Sequence, residues 1–252
     1  MNKVLIYDTD CPLCRVYTKG LVVAGALPPE ARQSNDSATV SQLIGQLDPV
    51  RSKHEIPLLD LETGETQYGV DAVLTLLGTV WPRFSQFVRR TVLVDVARKL
   101  YAFISYNRRI IVPATTERWH IMDLTPDFSV AYRISFLVLL YGSLLVSHLS
   151  VIGHVNLLAL LALVGQTGWS GAYIVRHSAQ TRLANSLDYA GHLGMSLLLG
   201  GIFKATGAAI DVPALTVIGN AVMIWQHIIR LRVMKLPDYL NLPFIAFVLL
   251  NH

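Results

Sequence analysis

Two cysteines, separated by two residues, are the side chains of this sequence best suited to chemistry. Cys11 and Cys14 are the only cysteines among the 252 residues, and they lie in the run Cys-Pro-Leu-Cys. Two thiols at this spacing can close a small disulfide, and the thiolate of one can attack a disulfide in another molecule. The pair therefore predicts thiol–disulfide exchange as the first candidate activity.

A predicted helix next to the pair assigns a role to each sulfur. The apolar run 4–7 predicts a buried strand, and Pro12 suits the first turn of a helix that continues to Val23. The free N–H groups and the dipole at this helix start stabilise a thiolate. We expect Cys11 to be the nucleophile and Cys14, one turn later, to resolve the mixed disulfide.

Two carboxylates precede the thiols. If Asp8 and Asp10 both faced Cys11, they would raise its pKa, because a like charge disfavours the thiolate. One of them could instead cap the helix by accepting hydrogen bonds from its first N–H groups. The sequence leaves both arrangements open, and in either one the carboxylates would modulate the thiol pair.

The elements expected in residues 1–80 follow the order of a thioredoxin-like α/β domain. The pattern predicts a strand at 30–33, a helix from 35 or 36 to 47 that ends at Asp48-Pro49, a hairpin of 56–61 and 66–68, and a helix at 69–77. In such folds a proline that opens the third strand is usually cis and lies against the thiol pair. We therefore expect Ile56 and a cis Pro57 to position a substrate.

The opening Tyr-Asp-Thr-Asp-Cys-Pro-Leu-Cys resembles that of the DCC family of predicted thiol–disulfide oxidoreductases, which begins with a strand and then Asp-x-x-Cys-x-x-Cys. Segments 54–58, 68–72 and 106–109 are also similar, so the resemblance covers residues 1 to about 112. Thr9 stands where the family usually has glycine. The resemblance implies a thioredoxin-like fold, a redox-active center at Cys11 and Cys14, and a disulfide or dithiol substrate, either a protein or a small molecule.

Residues 81–127 predict a basic helical extension and a connector. Between 84 and 112, Val92, Val96 and Leu100 can share one face of a helix that also carries several arginines. Such a helix could pack this face on the preceding domain, or it could lie on an anionic lipid surface. The following residues, 113–126, predict a polar connector.

Residues 128–252 predict an all-α transmembrane bundle. Hydrophobic residues make up 52% of the chain and charged residues only 15%, and the apolar runs concentrate in this half. Runs 128–149, 155–175, 187–203 and 212–229 are each near the length that crosses about 30 Å of hydrocarbon. The run 240–250 is shorter and is interpreted as interfacial or re-entrant.

The distribution of cations predicts the orientation of this bundle. Lys and Arg precede the first expected span and follow the second and fourth. By the positive-inside rule the N-terminal domain then lies in the cytoplasm. We expect an integral protein of a bacterial inner membrane, in contact with the lipid bilayer. The net charge of +4 reflects these flanking cations, so no nucleic-acid partner is expected.

Other functions could use the same residues. The two thiolates could carry Cu(I) or zinc as a delivery module, and a domain of this kind could sense redox state without turnover. An Asp-x-Asp after a strand is typical of certain phosphatases, but Pro12 stands where they usually have Thr or Val. We expect no resident metal and no cofactor, and the sequence does not determine the oligomeric state.

Two histidines of the membrane half leave one cofactor alternative open. His192 and His227 could face each other and ligate haem or contact a quinone, since ionisable residues within membrane spans are often functional. Interhelical hydrogen bonding is the simpler interpretation of both side chains.

Overall fold

The computed structural model describes residues 2–115, 120–151, 157–178 and 180–250. The chain forms two compact units, Met1–Phe128 and Ser129–His252. The first unit contains a small mixed sheet with helices around it, and the second is mostly helical. The predicted succession of an α/β part and an all-helical part is confirmed at this level.

The sheet of the first unit has four short strands. They are β1 (Lys3–Tyr7), β2 (Arg32–Ser34), β3 (Pro57–Asp60) and β4 (Thr66–Tyr68), in the spatial order β2-β1-β3-β4. Strand β1 pairs in parallel with β2 and antiparallel with β3, and β3 pairs antiparallel with β4. The central strand β1 is the apolar run that the sequence predicted, and Leu5 and Ile6 within it are fully buried.

Four helices connect and cover these strands: α1 (Pro12–Val23), α2 (Ala38–Leu43), α3 (Pro49–His54) and α4 (Gly69–Val80). The helix predicted to reach residue 47 was too long, because α2 ends at Leu43 and a 3-10 turn follows. Asp48-Pro49 begins α3 instead of ending a helix. The Asp48 carboxylate accepts hydrogen bonds from Val50 N and Arg51 N, and proline suits the first helical position.

Segment 113–126, predicted to be a polar connector, contributes two residues to the core of the first unit. Met122 and Leu124 are buried, and they pack with Val4, Ile6 and Leu59 against one face of the sheet. The prediction of a polar connector was therefore wrong for this segment. Its alternation of polar and apolar residues is too short to give a recognisable period, so its burial became visible only in the fold.

The basic extension forms two helices rather than one. Helix α5 (Pro82–Arg89) and helix α6 (Leu93–Ile111) are separated by a turn at 90–92. Of the two alternatives for the apolar face, packing on the preceding domain is not what forms for Val92, Val96 and Leu100. Tyr101 and Ser105 of α6 contact Ile56 N and the His54 carbonyl, whereas Val92, Val96 and Leu100 point to solvent.

The second unit contains α7 (Val130–Val151), α8 (Leu157–His177), α9 (Arg182–Ala209), α10 (Pro213–Val233) and α11 (Leu242–Leu250). Three described segments are long and apolar enough to cross a membrane: Val130–Ser147, Leu157–His177 and Pro213–Val233. The expected third span, 187–203, lies within α9, which is not one of them. Charged residues Arg182, Asp188 and Lys204 distribute along α9 and lower its apolarity.

Glycines bring α9 and α10 into close contact. A Cβ added to Gly200 would lie 2.3 Å from the Gly219 carbonyl oxygen, and one added to Gly219 would lie 2.6 Å from the Gly200 carbonyl oxygen. Only hydrogen fits at this crossing, so the two helix backbones approach directly. Small residues at helix contacts are typical of packing within membranes.

Candidate functional site

The turn between β1 and α1 places the two thiols at the start of a helix. Strand β1 ends at Tyr7, and Cys11 is the N-cap residue of α1 with Pro12 in the first turn. The Cys14 N–H donates a hydrogen bond to Cys11 Sγ over 3.2 Å. The cap role that Asp8 or Asp10 could have taken therefore belongs to the Cys11 sulfur itself.

The environment separates the acidities of the two thiols. Both cysteines are free, and both are buried, with exposures of 4% for Cys11 and 6% for Cys14. A hydrogen bond from the Cys14 thiol is the main cause that lowers the pKa of Cys11 to about 7; the Arg108 charge and the Cys14 N–H help, and burial and Asp8 oppose it. The hydrogen bond to Cys11, together with burial, raises the pKa of Cys14. Cys11 is thus the sulfur that carries a thiolate near neutral pH.

A buried ion pair lies beside the thiols. Arg108 of α6 donates to Asp8 Oδ2 over 3.1 Å, and it also contacts the Leu124 carbonyl. The side chains of both residues are less than a tenth exposed. Arg108 lowers the pKa of Cys11 and Asp8 raises it, so the two charges of this ion pair oppose each other in their effect on Cys11.

Asp10 faces away from this pair and binds a histidine of the connector. His120 Nε2 lies 2.7 Å from Asp10 Oδ2, and His120 Nδ1 lies 2.6 Å from Asp36 Oδ1. Burial opposes the imidazolium, but the hydrogen bonds to Asp10 and Asp36 raise the pKa of His120. A doubly protonated ring satisfies both carboxylates at once.

A buried asparagine holds the same turn. Asn35 Oδ1 accepts from Thr9 N over 3.2 Å and from Thr9 Oγ1 over 2.9 Å, and Asn35 Nδ2 donates to the Met122 carbonyl over 3.0 Å. Thr9, which replaces the glycine usual in the resembling family, thus has its hydroxyl and its N–H bonded. Residues 120–125, the connector segment, fasten to the thiol turn through His120, Met122 and Leu124.

Ile56 and Pro57 lie at the start of β3, and the bond between them is trans, so the expected cis proline was wrong. Ile56 N–H donates to the Tyr101 hydroxyl over 3.0 Å, and the Ile56 carbonyl accepts from Gly69 N over 2.9 Å. Both backbone groups of Ile56 are therefore satisfied within the protein. Tyr101 also hydrogen-bonds Tyr17 of α1, which connects this strand start to the helix that bears the thiols.

The membrane histidines lie in a buried polar network of the second unit. His192 Nδ1 lies 3.2 Å from Arg230 Nη1. His227 Nδ1 lies 2.8 Å from Asn241 Oδ1, and His227 Nε2 lies 3.4 Å from Gln166 Nε2. The ring of His227 stacks on Phe244, with centroids 4.0 Å apart. These contacts are hydrogen bonds between helices, the simpler of the two interpretations of the sequence.

Sequence reasoning found the thiols and both aspartates but gave neither Arg108 nor His120 a role at this site, and Arg108 was counted only among the cations that precede the first span. Arg108 belongs to segment 106–109, one of the stretches that resemble the family, and that match was the available signal. For His120, which is distant from the thiols in sequence, no signal existed. Among the described residues, no group of three or more His, Cys, Asp or Glu side chains is arranged to hold a metal ion.

Comparison with known proteins returns no relative. No protein-family model matches the chain, and no curated protein and no solved structure matches it.

Proposed function

We propose that this chain is a membrane-anchored thiol–disulfide oxidoreductase with a thioredoxin-like N-terminal unit, as the resemblance to the DCC family implies. The observation that carries the proposal is the asymmetry of the thiol pair. Cys11 caps α1, accepts the Cys14 N–H and has a pKa of about 7, whereas the pKa of Cys14 is raised. One sulfur is ready to attack, and the other is held as a protonated thiol.

The architecture of the first unit supports the proposal. Its order β1-α1-β2, then helix, then the antiparallel β3 and β4 and a closing α4 is the order expected for a thioredoxin-like domain. The thiols stand where the first strand feeds the first helix, at the end of the sheet toward which β1 and β2 both run. That position aims the helix N-terminus at Cys11.

The reaction follows from these positions. The Cys11 thiolate attacks one sulfur of a substrate disulfide, so that a Cys11–substrate disulfide forms and the other substrate sulfur leaves and takes up a proton. Cys14 then loses its proton and attacks Cys11 Sγ, which closes the Cys11–Cys14 disulfide and releases the second substrate thiol. Two electrons pass from the protein dithiol to the substrate, and an external dithiol restores the pair by the reverse steps.

Access to Cys11 requires local opening. The sulfurs are almost completely buried in the reduced protein, and a substrate disulfide must come within bonding distance of Cys11. The connector segment is bonded to the turn that precedes Cys11 through His120 and Asn35. Release of these few contacts is the smallest movement that would free the turn, and local openings of this kind cost less than global unfolding.

The membrane unit supplies the anchor, and the cations suggest its orientation. Arg176 lies in the last turn of α8, and Arg230 and Arg232 lie in the last turn of α10. If both helix ends are cytoplasmic, α9 must return the chain across the bilayer. Its 28 residues span about 42 Å, enough for that crossing. The proposal then has four crossings and a cytoplasmic N-terminal unit in a bacterial inner membrane.

Trapping of a mixed disulfide tests the activity. In Cys14→Ser the resolving sulfur is absent, so Cys11 should remain covalently bound to its disulfide partner when membranes are quenched with acid and alkylated. We expect thiol-sensitive adducts on nonreducing gels from Cys14→Ser and none from Cys11→Ser, the matched control. Equal adducts from both variants, or none from either, would contradict the proposed roles.

A further inference from the structure

The outward surface of α5 and α6 is unusually apolar for a unit outside the membrane spans. Six large apolar side chains along it are each more than half exposed: Trp81, Phe84, Phe87, Val92, Val96 and Leu100. We name these six residues the α5–α6 face. Large apolar side chains exposed in such number over a short stretch of chain mark an interaction site in proteins that are otherwise well packed.

Helical spacing arranges most of the face in two stripes, one on each helix. Phe84 and Phe87 are three residues apart on α5, and Val92, Val96 and Leu100 follow at intervals of four through the start of α6, so each set forms one stripe. The opposite sides of both helices are anchored. Ser85 Oγ donates to the Leu74 carbonyl over 2.7 Å, and Tyr101 bonds Ile56 N. The stripe is therefore held outward by contacts on the other side.

The charge around the face is strongly positive. Residues 81–100 contain five arginines and lysines and one acid, Asp95. Arg98 pairs with Asp95, the one acid of this stretch, and with Asp71. Arg83, Arg90 and Lys99 are exposed, and within the described part of the chain none of the three forms an ion pair. Arg83 in the first turn of α5 and Arg90, its C-cap residue, are seven residues apart and lie beside the phenylalanines.

We propose that the α5–α6 face lies in the headgroup region of an anionic bilayer, with the aromatic and aliphatic side chains in the acyl boundary and Arg83, Arg90 and Lys99 at the lipid phosphates. Aromatic and aliphatic residues on one face with basic residues beside them are the composition of interfacial helices. Each cation near an anionic leaflet adds to the attraction. The same chain continues from α6 through 112–129 into the first apolar span.

Spin labelling in reconstituted full-length protein tests this assignment. In the Cys11→Ser/Cys14→Ser background, one nitroxide is attached at Phe87→Cys and, as matched control, at Gln86→Cys, an exposed neighbour about 100° further round α5. The protein is placed in nanodiscs of mixed phosphatidylglycerol and phosphatidylcholine. Collision of the label with oxygen reports lipid, and collision with a water-soluble nickel chelate reports water. The thiol-free background makes the result independent of the proposed redox activity.

We expect a severalfold higher ratio of oxygen to nickel collisions at position 87 than at 86, and loss of that difference when Arg83→Gln and Arg90→Gln are added. A water-exposed label at 87 would overturn the proposal. A label at 87 that is immobile and shielded from both reagents would also overturn it, because the face would then be covered by protein. An unchanged ratio in the arginine variant would overturn the anionic lipid assignment.

Discussion

At the scale of single residues, the opposed charges of Asp8 and Arg108 adjust a Cys11 pKa that the hydrogen bond from Cys14 mainly determines. Both lie in the same buried pair, 3.1 Å apart, yet they move the Cys11 pKa in opposite directions. Solvent screens buried charges only weakly, so removal of either charge should change the pKa of Cys11. A variant that lacks the Asp8 charge and one that lacks the Arg108 charge should therefore shift the Cys11 pKa in opposite directions.

The rate of alkylation of Cys11 by iodoacetamide should rise with pH through a midpoint of about 7, because the thiolate is the reactive form. Asp8→Asn should move the midpoint down, and Arg108→Gln should move it up. Asp10→Asn is the matched control and should shift it less, since Asp10 is bonded to His120. Alkylation followed by mass spectrometry across a pH series measures all three.

Stability must be separated from acidity in this series. Removal of one partner of a buried ion pair costs about 3–5 kcal/mol, so Arg108→Gln could lower the amount of folded protein. The double variant Asp8→Asn/Arg108→Gln leaves no unpaired buried charge and serves as the folded reference. Midpoints that move in the same direction for Asp8→Asn and Arg108→Gln would contradict the account.

Residue types and spacing singled out the two thiols and predicted the helix that begins beside them, which the structure contains; that Cys11 attacks and Cys14 resolves stays a prediction. The same reasoning could not choose between the two aspartates. Their roles depend on partners that lie far away in sequence, Arg108 for Asp8 and His120 for Asp10. Long-range pairs of this kind leave no local pattern.

At the scale of elements, we expect the connector segment to control how often Cys11 can meet a substrate. His120 bonds Asp10, the residue before Cys11, and Asp36, at the end of β2. His120→Ala removes both bonds. If the two bonds together stabilise the closed arrangement by about 1 kcal/mol, their loss should raise the population of the open form roughly fivefold. Alkylation of Cys11 at a pH well above its pKa should then be faster by that factor.

Lys53→Ala is the control for this variant. It removes the exposed ion pair between Lys53 Nζ and Asp127 Oδ1, which are 3.4 Å apart and lie outside the connector segment. Its removal should leave the alkylation rate unchanged. Equal rates in His120→Ala and the unaltered protein would show that the segment does not govern access. An equal acceleration in Lys53→Ala would show that any loosening of the connector has the same effect.

The predictability of the elements varied with the strength of their local signals. Strand β1, helix α1 and the β3–β4 hairpin were predicted because apolar runs and a glycine-containing turn specify them. For the extension, the sequence left open whether Val92, Val96 and Leu100 pack on the domain or meet lipid, and the structure leaves them exposed. The polar residues Tyr101, Ser105 and Arg108 make the specific contacts of α6 with the rest of the first unit, and polar contacts of this kind have no periodic signal.

At the scale of the whole molecule, the number of crossings decides on which side each unit lies. Three described helices qualify by length and apolarity, and the orientation that we propose requires α9 as a fourth crossing. Two single-cysteine variants are made in the thiol-free background: Glu65→Cys, in the exposed β3–β4 turn, and Ile210→Cys, at the exposed end of α9. With a maleimide that does not cross membranes, Ile210→Cys should react in intact cells and Glu65→Cys only after lysis.

Reaction of Glu65→Cys in intact cells would place the first unit outside the cytoplasm. Protection of both positions until lysis would remove α9 from the crossings. The apolar half was predictable from its long hydrophobic runs. The crossing that we propose for α9 was harder to predict, since Asp188 and His192 interrupt the apolar character of the helix; they contact Arg133 and Arg230.

The most direct test of the proposed function is the redox equilibrium of Cys11 and Cys14. Purified protein is equilibrated in glutathione buffers, its thiols are trapped by alkylation, and Cys11→Ser provides the control. We predict a reversible two-electron transition at roughly −200 to −280 mV, the range of cytosolic glutathione and thioredoxin-type pairs. Absence of a reversible disulfide, with tight stoichiometric binding of Cu(I) or zinc instead, would contradict the oxidoreductase and favour metal delivery.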